Sequence, residues 1–283
     1  MNRVIVVTDS TANLPDELAQ AYDIPSIPLH VHWGSEDYLD GETLEADTFY
    51  QWLQERDDFP TTSQPSVGEF IEFFQGVAER YKTTSIMGIF IAEHLSGTLA
   101  SATQAKAALP DLDIELIDSR SVSMGTGFLV TLAAREARAG ASLAEIRERV
   151  LEVREQINLI FAVDSLEYLH RGGRIGGASR LLGTALSLKP VLSVEDGRVE
   201  ALQKVRRRSK SLQRVVEIAA ERLGGKRPSE LCIVNAQSSQ EDVDAFVQWV
   251  TESLRPEKLY HTMLTPVVGV HGGPGTLGVV FYT

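Results

Sequence analysis

The sequence predicts an α/β protein with an N-terminal three-layer α/β/α domain built on a mainly parallel sheet and a C-terminal α/β domain with a mixed sheet. Short apolar runs alternate with helical patterns over residues 1–160, as in a parallel sheet covered on both faces. A hairpin pattern then follows, in which two strand-like runs are joined by Asp196-Gly197. A length of 283 residues is enough for two domains. We expect them at 1–160 and 161–283.

Strand and helix patterns follow one another through residues 1–160. Residues 4–7 form an apolar run that ends at the polar turn 8–11, and Pro15 then lies in the first turn of a helix that reaches Tyr22. Residues 27–33 alternate as a second strand at the edge of the sheet. Continuous apolar runs predict two further buried strands, at 85–91 and 112–117. Helices are expected at 44–53, from Ser66 onward, from 97 or 98 to 108, at 121–138 and at 142–156.

The character of the sequence changes after an apolar run at 159–163. Segment 168–177 holds four glycines and two arginines, and a helical pattern follows at 178–188. The runs 190–194 and 199–205 predict an antiparallel hairpin, which makes the second sheet mixed. The remaining patterns are a strand at 231–234, a helix at 241–254, an apolar segment at 267–271 before a Gly-Pro-Gly turn, and an apolar run at 277–282.

Composition excludes several classes of protein. The hydrophobic share of 43% and the charged share of 23% are those of an ordinary globular protein. The formal net charge of −12 disfavours binding to a phosphate backbone. No apolar run is long enough to span a membrane or act as a signal sequence, so we expect a soluble, cytoplasmic protein. The single cysteine, Cys232, lies in an apolar run and is expected to be a buried core residue.

Three segments carry the side chains of a candidate binding site. The segment 61–66 places hydroxyl and amide groups around Pro65, just before a helix that begins with a capping box of Ser66 and Glu69. That helix carries Phe70, Phe73 and Phe74 on one side, which predicts an apolar wall beside the loop. The other two segments are 95–98 and 271–275. Together they fit a ligand with a polar head and an apolar body.

The donor types in these segments favour an anionic head group. Ser96 and the amides at the start of the following helix can bind a carboxylate or a phosphate. His271 lies between glycines that let its backbone and imidazole approach a ligand closely. The turn with Asp9, Ser10 and Thr11, at the carboxyl end of a strand, is a further candidate.

Each of these segments also has a plain structural explanation. Hydroxyls and glycines are common in capped turns, so only their combination indicates a site. Segment 168–177 could cradle a phosphate but lacks the lysine of a P-loop, and it also fits a turn that joins two domains. The cations Lys204, 206–208 and Lys210 stand where a helix should begin, which is mildly unfavourable for the helix; they fit either a partner surface or a solvated face.

The motifs occur together in an order that resembles the DegV family of bacterial fatty acid-binding proteins. They are Val-Thr-Asp-Ser-Thr-Ala at 7–12, Thr-Ser-Gln-Pro-Ser at 62–66, Leu-Ser-Gly-Thr at 95–98, Tyr-Leu-His-Arg-Gly-Gly-Arg at 168–174 and His-Gly-Gly-Pro-Gly at 271–275. The resemblance implies that an acyl chain is enclosed in the first domain and that its carboxylate lies near the domain junction. It implies a carrier without catalysis of its own and without a cofactor. A separate fatty acid kinase would phosphorylate the bound carboxylate to acyl phosphate for phospholipid synthesis.

The resemblance also implies which residues act. Carried over by motif, the carboxylate contacts fall on Thr62, Ser96 and His271, with Ser63 and Gly97 close by. Thr61 is adjacent to Thr62 and also carries a hydroxyl, so the motif leaves open which of the two threonines makes the main contact. The positions that resemble those linked to the kinase partner and to charge near the carboxyl group are Arg171, Arg174 and Arg206. The expected partners are a long-chain fatty acid, the kinase and, transiently, a membrane, with no nucleic acid.

Two other functions remain open on the sequence alone. One is an enzyme acting on a small carbonyl or phosphorylated substrate through His271, with segment 168–177 on the phosphate. The chain lacks the nucleophile elbow, metalloprotease and P-loop motifs that would favour it. The other is a nucleic-acid-binding regulator that uses the basic run, which the net charge disfavours.

Overall fold

The computed structural model describes residues 3–183 and 188–282. Its strands are β1 (Ile5–Asp9), β2 (Ser26–Ile27), β3 (His30–Trp33), β4 (Glu36–Leu39), β5 (Thr61–Ser63), β6 (Ser85–Phe90), β7 (Asp113–Asp118), β8 (Asn158–Ala162), β9 (Val191–Glu195), β10 (Arg198–Gln203), β11 (Glu230–Ala236), β12 (Lys258–Met263) and β13 (Thr276–Phe281). Its helices are α1 (Asp16–Tyr22), α2 (Ala46–Glu55), α3 (Val67–Tyr81), α4 (Thr98–Ala107), α5 (Met124–Arg138), α6 (Leu143–Arg154), α7 (Glu167–Arg171), α8 (Arg208–Leu223), α9 (Gln240–Leu254) and α10 (Pro266–Gly272).

The first sheet is a parallel sheet in the order β2-β1-β6-β7. Its strands are apolar on both faces because both faces are covered. Val4 and Val6 pack against helices α5 and α6, whereas Ile5 and Val7 pack against α3 and α4. This is the three-layer α/β/α arrangement that the alternation of strand and helix patterns predicted.

The second sheet is mixed and has the order β10-β9-β8-β13-β11-β12. Neighbouring strands run antiparallel except β11 and β12, which are parallel. Along β8, Ile160 and Ala162 pack under α8 and α9, while Leu159 and Phe161 face the opposite side, toward the first sheet's part of the chain. The mixed sheet is therefore confirmed. The face that carries Leu159 and Phe161 is not covered by α8 and α9 and borders the space between the two sheets.

A small third sheet corrects the prediction for residues 27–33. Instead of one edge strand, the chain forms β2, which joins the parallel sheet, and β3, which is central in an antiparallel sheet of order β4-β3-β5. Strand β5 is the first half of the segment predicted to be a loop. Pairing with β3 organises it, and Pro65 and the capping box then begin α3.

Three further predictions need comment. The helix expected at 178–188 is a 3₁₀ helix at Gly176–Leu181, and residues 184–187 lie outside the described part of the chain. The helix expected from residue 121 begins at Met124, after Ser123, which has a positive φ of 53° and an extended ψ. The hairpin is confirmed: Asp196 and Gly197 both have positive φ, as a tight hairpin turn requires.

Candidate functional site

A cavity of about 850 Å³, partly open to solvent, lies between the first sheet's carboxyl edge and the inner face of the mixed sheet. Most of its lining is aliphatic. From residues before 158 come Leu29, Ile91, Leu95 and Val122, and from the later part come Leu159, Phe161, Val194, Val199, Val234 and Val267. The apolar walls are thus drawn from both parts of the chain, and not from residues 1–160 alone.

The polar lining of this cavity includes four residues that the sequence put forward as candidates for the anion. Thr62 and Ser63 on β5, Ser96 in the turn before α4 and His271 on α10 all line it. Thr11, from the first polar turn, lines it as well. Gly97 is the N-cap residue of α4 and adjoins Ser96, with the amide side chain of Gln64 next to it. Chain-distant segments therefore meet at one cavity.

Thr62 and His271 are in direct contact. Thr62 Oγ1 lies 2.8 Å from His271 Nε2, and Nδ1 is buried without a hydrogen-bond partner among the described residues. Burial, and then the charge of Arg174, lower the pKa of His271 to about 4, so the imidazole is neutral at pH 7. A buried acceptor left unpaired is more readily tolerated than a buried N–H. We therefore assign the proton to Nε2, which donates to Thr62 and leaves the Thr62 hydroxyl hydrogen for a ligand.

Arg174 points into the same cavity. It is half-buried and donates to the carbonyl oxygens of Leu95, at 3.0 Å from Nε, and of Gly172, at 2.6 Å from Nη1. Among the described residues no carboxylate forms an ion pair with it, and burial lowers its pKa. A partly desolvated cation beside a neutral histidine gives this end of the cavity a positive potential, which suits an anionic group.

The other two candidate arginines lie outside the cavity lining. Arg171 is exposed, pairs with Glu167 at 2.7 Å and stacks over Phe59. Arg206 is exposed, as are Lys204, Arg207 and Lys210. Arg208 differs from them because it pairs with Asp164 and Asp242. The basic run thus divides into an exposed cationic surface and one structural arginine.

The predicted phenylalanine wall is wrong. Phe70 and Phe74 are fully buried on the face of α3 that covers the parallel sheet, where they pack with Phe90 and Val7. Phe73 packs against the same cluster. None of the three lines the cavity. The capping box fixed where α3 starts, but the face that α3 presents to the sheet depends on the sheet's position, which the local pattern does not specify.

The glycines of the two Gly-rich motifs allow α7 and α10 to pack closely. A Cβ on Gly172 would lie 2.1 Å from His271 Nδ1, and a Cβ on Gly273 would lie 2.4 Å from the ring of Tyr168. A glycine is therefore needed at position 172, where the His271 ring approaches, and at position 273, where the Tyr168 ring approaches. This packing explains Gly172 of segment 168–177 without a phosphate, and it holds His271 in place.

Within the described residues, no group of three or more histidine, cysteine, aspartate or glutamate side chains is arranged to hold a metal ion. None of the helices in residues 3–183 and 188–282 combines the length and apolar character needed to cross a membrane.

The fold and the cavity define a class of protein: two α/β layers that enclose an apolar chamber with a polar, cationic end. Comparison with known proteins then gives the family. The model of the DegV family, described as an uncharacterised protein family, matches residues 3–283, and this chain belongs to that family. The resemblance drawn from the ordered motifs is confirmed.

Individual relatives extend over the whole chain. A DegV domain-containing protein of Listeria monocytogenes is 32% identical over 282 residues, which cover 99% of this chain and 98% of the relative. A solved structure that shows fatty acid binding by a DegV family protein of Thermus thermophilus is 32% identical, covers 99% of each chain and has a TM-score of 0.91. A stearic acid-binding protein of Eubacterium ventriosum is 26% identical, with a TM-score of 0.90 over 100% of this chain and 98% of its own. Both of these solved relatives are thus described as binding a fatty acid.

Proposed function

We propose that this chain binds a long-chain fatty acid, with the acyl chain in the aliphatic cavity and the carboxylate at the end that carries Thr62, Ser96, Arg174 and His271. The observation that carries the proposal is the cavity itself, apolar along its length and cationic at one end. Relatives from Thermus thermophilus and Eubacterium ventriosum, which bind a fatty acid and stearic acid respectively, support the choice of ligand.

The polar end meets the requirements of a carboxylate. A buried carboxylate is tolerated only when several hydrogen bonds or a cation compensate for the lost water. The Thr62 hydroxyl, the Ser96 hydroxyl and the Arg174 guanidinium can supply them. In return, a carboxylate gives Arg174 the counter-charge that it does not find among the described side chains. Ser63 and Gly97 adjoin this group.

We further propose that the chain acts as a carrier: it presents the carboxylate to a separate, ATP-dependent fatty acid kinase, which forms acyl phosphate for phospholipid synthesis. In this role the protein would act in the cytoplasm. The exposed cations Lys204, Arg206 and Arg207, and separately the exposed Arg171, provide charge for an acidic partner surface in a protein of net charge −12. The same cations would favour transient contact with an anionic membrane during ligand exchange.

Native mass spectrometry tests the binding step. The chain is purified gently and measured, then stripped of lipid and offered hexadecanoic or octadecanoic acid. We expect one acyl mass per chain after purification or after addition. A chain that carries no acyl mass and takes up none under either condition would refute fatty acid binding.

A reconstituted reaction with a fatty acid kinase tests the carrier role. Arg206→Ala should retain bound fatty acid but slow acyl phosphate formation, because Arg206 is exposed and lies outside the cavity lining. Arg149→Ala, in an exposed pair with Glu152 on α6, is the matched control and should behave like the parent chain. Equal rates for the two variants would exclude Arg206 from the partner surface.

The second candidate function, an enzyme acting on a small carbonyl or phosphorylated substrate, rests on the contact between Thr62 and His271. A hydroxyl at 2.8 Å from an imidazole resembles a nucleophile and its base. Such a base is ordinarily oriented by a third group at its other nitrogen, and Nδ1 of His271 has no such partner among the described residues. Turnover of dihydroxyacetone or small acyl esters that is lost in His271→Gln would favour this function over carriage.

A further inference from the structure

Ser123 places a buried hydroxyl group without a hydrogen-bond partner at the wall of the cavity. The residue lines the cavity and is 2% exposed, and its Oγ has no partner among the described residues. Its backbone is fully engaged, since the amide donates to the carbonyl oxygen of Thr11 at 2.8 Å and the carbonyl oxygen accepts from Thr126 and Gly127. The side chain is therefore the part of Ser123 that remains for the cavity. Because buried hydroxyls are normally paired, this one indicates a partner that the fold does not supply.

The hydroxyl of Ser123 does not cap the helix that follows it. Ser123 is the N-cap residue of α5, where a serine hydroxyl commonly accepts a backbone N–H, but its side chain makes no such bond. The amides of Gly125, Thr126 and Gly127 are bonded to backbone carbonyls instead. Its φ is 53° and its ψ is −145°, a conformation that glycine adopts readily and other residues adopt at a cost. A serine is thus held where glycine would be less strained, and its hydroxyl does not serve the helix.

A second serine of the same turn has a hydroxyl that the fold does satisfy. Ser119 is 1% exposed, and its Oγ lies 3.1 Å from the carbonyl oxygen of Ser121 and 2.9 Å from Oγ1 of Thr126. Ser119 is not part of the cavity lining. Residues 119–123 therefore contain one serine that is paired within the protein and one that is unpaired at the cavity.

We propose that Ser123 is a second polar subsite within the acyl cavity, and that the preferred ligand is a long-chain fatty acid with a hydroxyl group along its chain. This inference rests on the proposed function, because the carboxylate of that ligand would occupy the end with Thr62 and Arg174. An unsubstituted acyl chain would cover the Ser123 hydroxyl and leave it unpaired, at a cost in affinity. A hydroxyl on the chain can both donate and accept, so it can bond to Ser123 whichever way the serine hydrogen points.

The Ser123 subsite lies away from the carboxylate end of the cavity. Thr11, to which Ser123 is bonded, is two residues from Asn13, whose side chain donates to the carbonyl oxygen of Met263 at 2.8 Å, shortly before α10. His271 is in the last turn of α10, which has seven residues and is therefore about 10 Å long. The subsite is thus near the start of this helix and the carboxylate end near its finish. The ligand hydroxyl belongs along the chain and not beside the carboxylate.

The neighbouring threonine does not replace Ser123 as a donor. Thr11 is fully buried and lines the cavity, and its hydroxyl donates to Asp9. A hydroxyl has one hydrogen to donate, so that of Thr11 is already used. The hydrogen of Ser123 is uncommitted among the described residues, which makes Ser123 the residue to change in a test of the subsite.

A competition experiment tests the subsite. The lipid-stripped chain is offered an equal mixture of octadecanoic acid and one of its monohydroxy isomers, and native mass spectrometry gives the ratio bound. The hydroxyl is moved along the chain from one mixture to the next. We expect one isomer, or a few neighbouring ones, to bind at least as well as the unsubstituted acid. The other isomers should bind about tenfold or more weakly, because their hydroxyl groups are buried without a partner.

Two variants remove the hydroxyl in different ways. Ser123→Ala keeps the strained backbone, whereas Ser123→Gly relieves it. Both should weaken binding of the preferred isomer about tenfold, while octadecanoic acid binds as well as before or better. Agreement between the two variants separates the effect of the hydroxyl from that of the backbone. Ser119→Ala, which removes a hydroxyl outside the cavity lining, is the matched control and should keep the preference of the parent chain.

The outcomes separate the subsite from the proposed function. Uptake of octadecanoic acid without any preferred isomer would overturn the subsite and leave fatty acid binding standing. The same preference in the parent chain and in both Ser123 variants would do so as well. A chain that takes up none of these acids would overturn both proposals.

Discussion

Two clusters of buried polar groups connect the two parts of the chain, and they differ in how completely they are paired. In the first, Glu230 on β11 accepts from both Nη1 and Nη2 of Arg135 on α5, at 2.8 and 2.5 Å. Tyr260 and Tyr282 donate to the same carboxylate at 3.0 and 2.9 Å. Burial raises the pKa of Glu230, but these four hydrogen bonds outweigh it and hold the pKa below its usual range.

The second cluster is the polar end of the cavity, where some buried polar atoms lack hydrogen-bond partners. Arg174 donates to two backbone carbonyls, and His271 has one nitrogen without a partner among the described residues. Buried polar groups are normally paired, so an incomplete set marks a place where something else completes it. We infer that the fully paired Glu230 cluster serves stability, whereas the incompletely paired cluster at the cavity is completed by a ligand.

The largest effect is expected from Glu230→Ala. The change leaves the half-buried Arg135 without its counter-charge. It should lower the free energy of unfolding by about 3–5 kcal/mol, as for other broken buried pairs. Urea denaturation measures it. Glu152→Ala, which breaks an exposed pair with Arg149, should cost less than about 1 kcal/mol. Similar losses for the two variants would remove the structural role assigned to the Glu230 cluster.

Asp40→Asn tests a buried acid that lies beneath the site. Asp40 accepts from the amide of Val267 at the start of α10, the helix that carries His271. Burial raises its pKa to about 6. Because the folded pKa is above the unfolded value, this group favours folding below about pH 4, and the benefit is lost as pH rises through 6. The free energy of unfolding falls by roughly 3 kcal/mol in all, at 1.36 kcal/mol for each pH unit between the two pKa values.

The asparagine variant keeps an acceptor for the Val267 amide and carries no charge. It should therefore be more stable than the parent chain at pH 8, by up to that amount, and similar to it at pH 4. Denaturation at both pH values gives the difference. His271 has the opposite dependence, since burial lowers its pKa and disfavours folding as pH falls below 6.5. Comparing the two chains at the same pH cancels this contribution. Parallel pH profiles would show that Asp40 does not titrate as described.

Gly172→Ala tests whether packing of α7 on α10 holds His271. The added Cβ would overlap His271 Nδ1, so the imidazole must move and its contact with Thr62 must change. Overpacking of this kind costs about 1–3 kcal/mol in unfolding free energy. Gly76→Ala on α3, where a Cβ meets nothing within 4 Å, is the control and should be neutral or stabilising by about 1 kcal/mol. A Gly172 variant as stable as the control would contradict the packing argument.

Local patterns were sufficient for much of the fold. Apolar runs located β1, β6 and β7, the Asp196-Gly197 pair located the hairpin, and capping boxes located the starts of α3 and α6. Strands β4 and β12 were missed because their residues are polar or only partly buried. Strand β5 was taken for a loop because its order comes from pairing with a strand about thirty residues away, and no local signal records that pairing.

Candidate site residues that line one cavity could be named from the sequence, but the shape of that cavity could not be predicted. The hydroxyls of Thr62 and Ser96 and the imidazole of His271 could be named because their motifs combine donors with tight turns. The cavity walls could not, since Leu159, Phe161 and Val234 are ordinary strand residues that line it only because the mixed sheet turns one face inward. The prediction that the phenylalanines of α3 form a wall of the site was wrong for the same reason. Which face of an element meets a cavity is decided by its neighbours.

The smallest effect, and the most specific to the cavity, is expected from Thr62→Val. Valine has nearly the shape of threonine but lacks the hydroxyl that contacts His271 and that we assign to the carboxylate. Several donors share that carboxylate, so the loss of one should weaken fatty acid binding about tenfold, near the lower end for a hydrogen bond to a charged group. Titration with a fluorescent fatty acid measures it. Thr103→Val, on the exposed face of α4, should bind like the parent chain. The change leaves the buried Nε2–H of His271 without its acceptor, so the ligand-free stability of the variant should fall by about 1 kcal/mol, the lower end for such a loss. A variant that loses stability while its affinity is unchanged would place Thr62 with the self-satisfied Glu230 cluster instead.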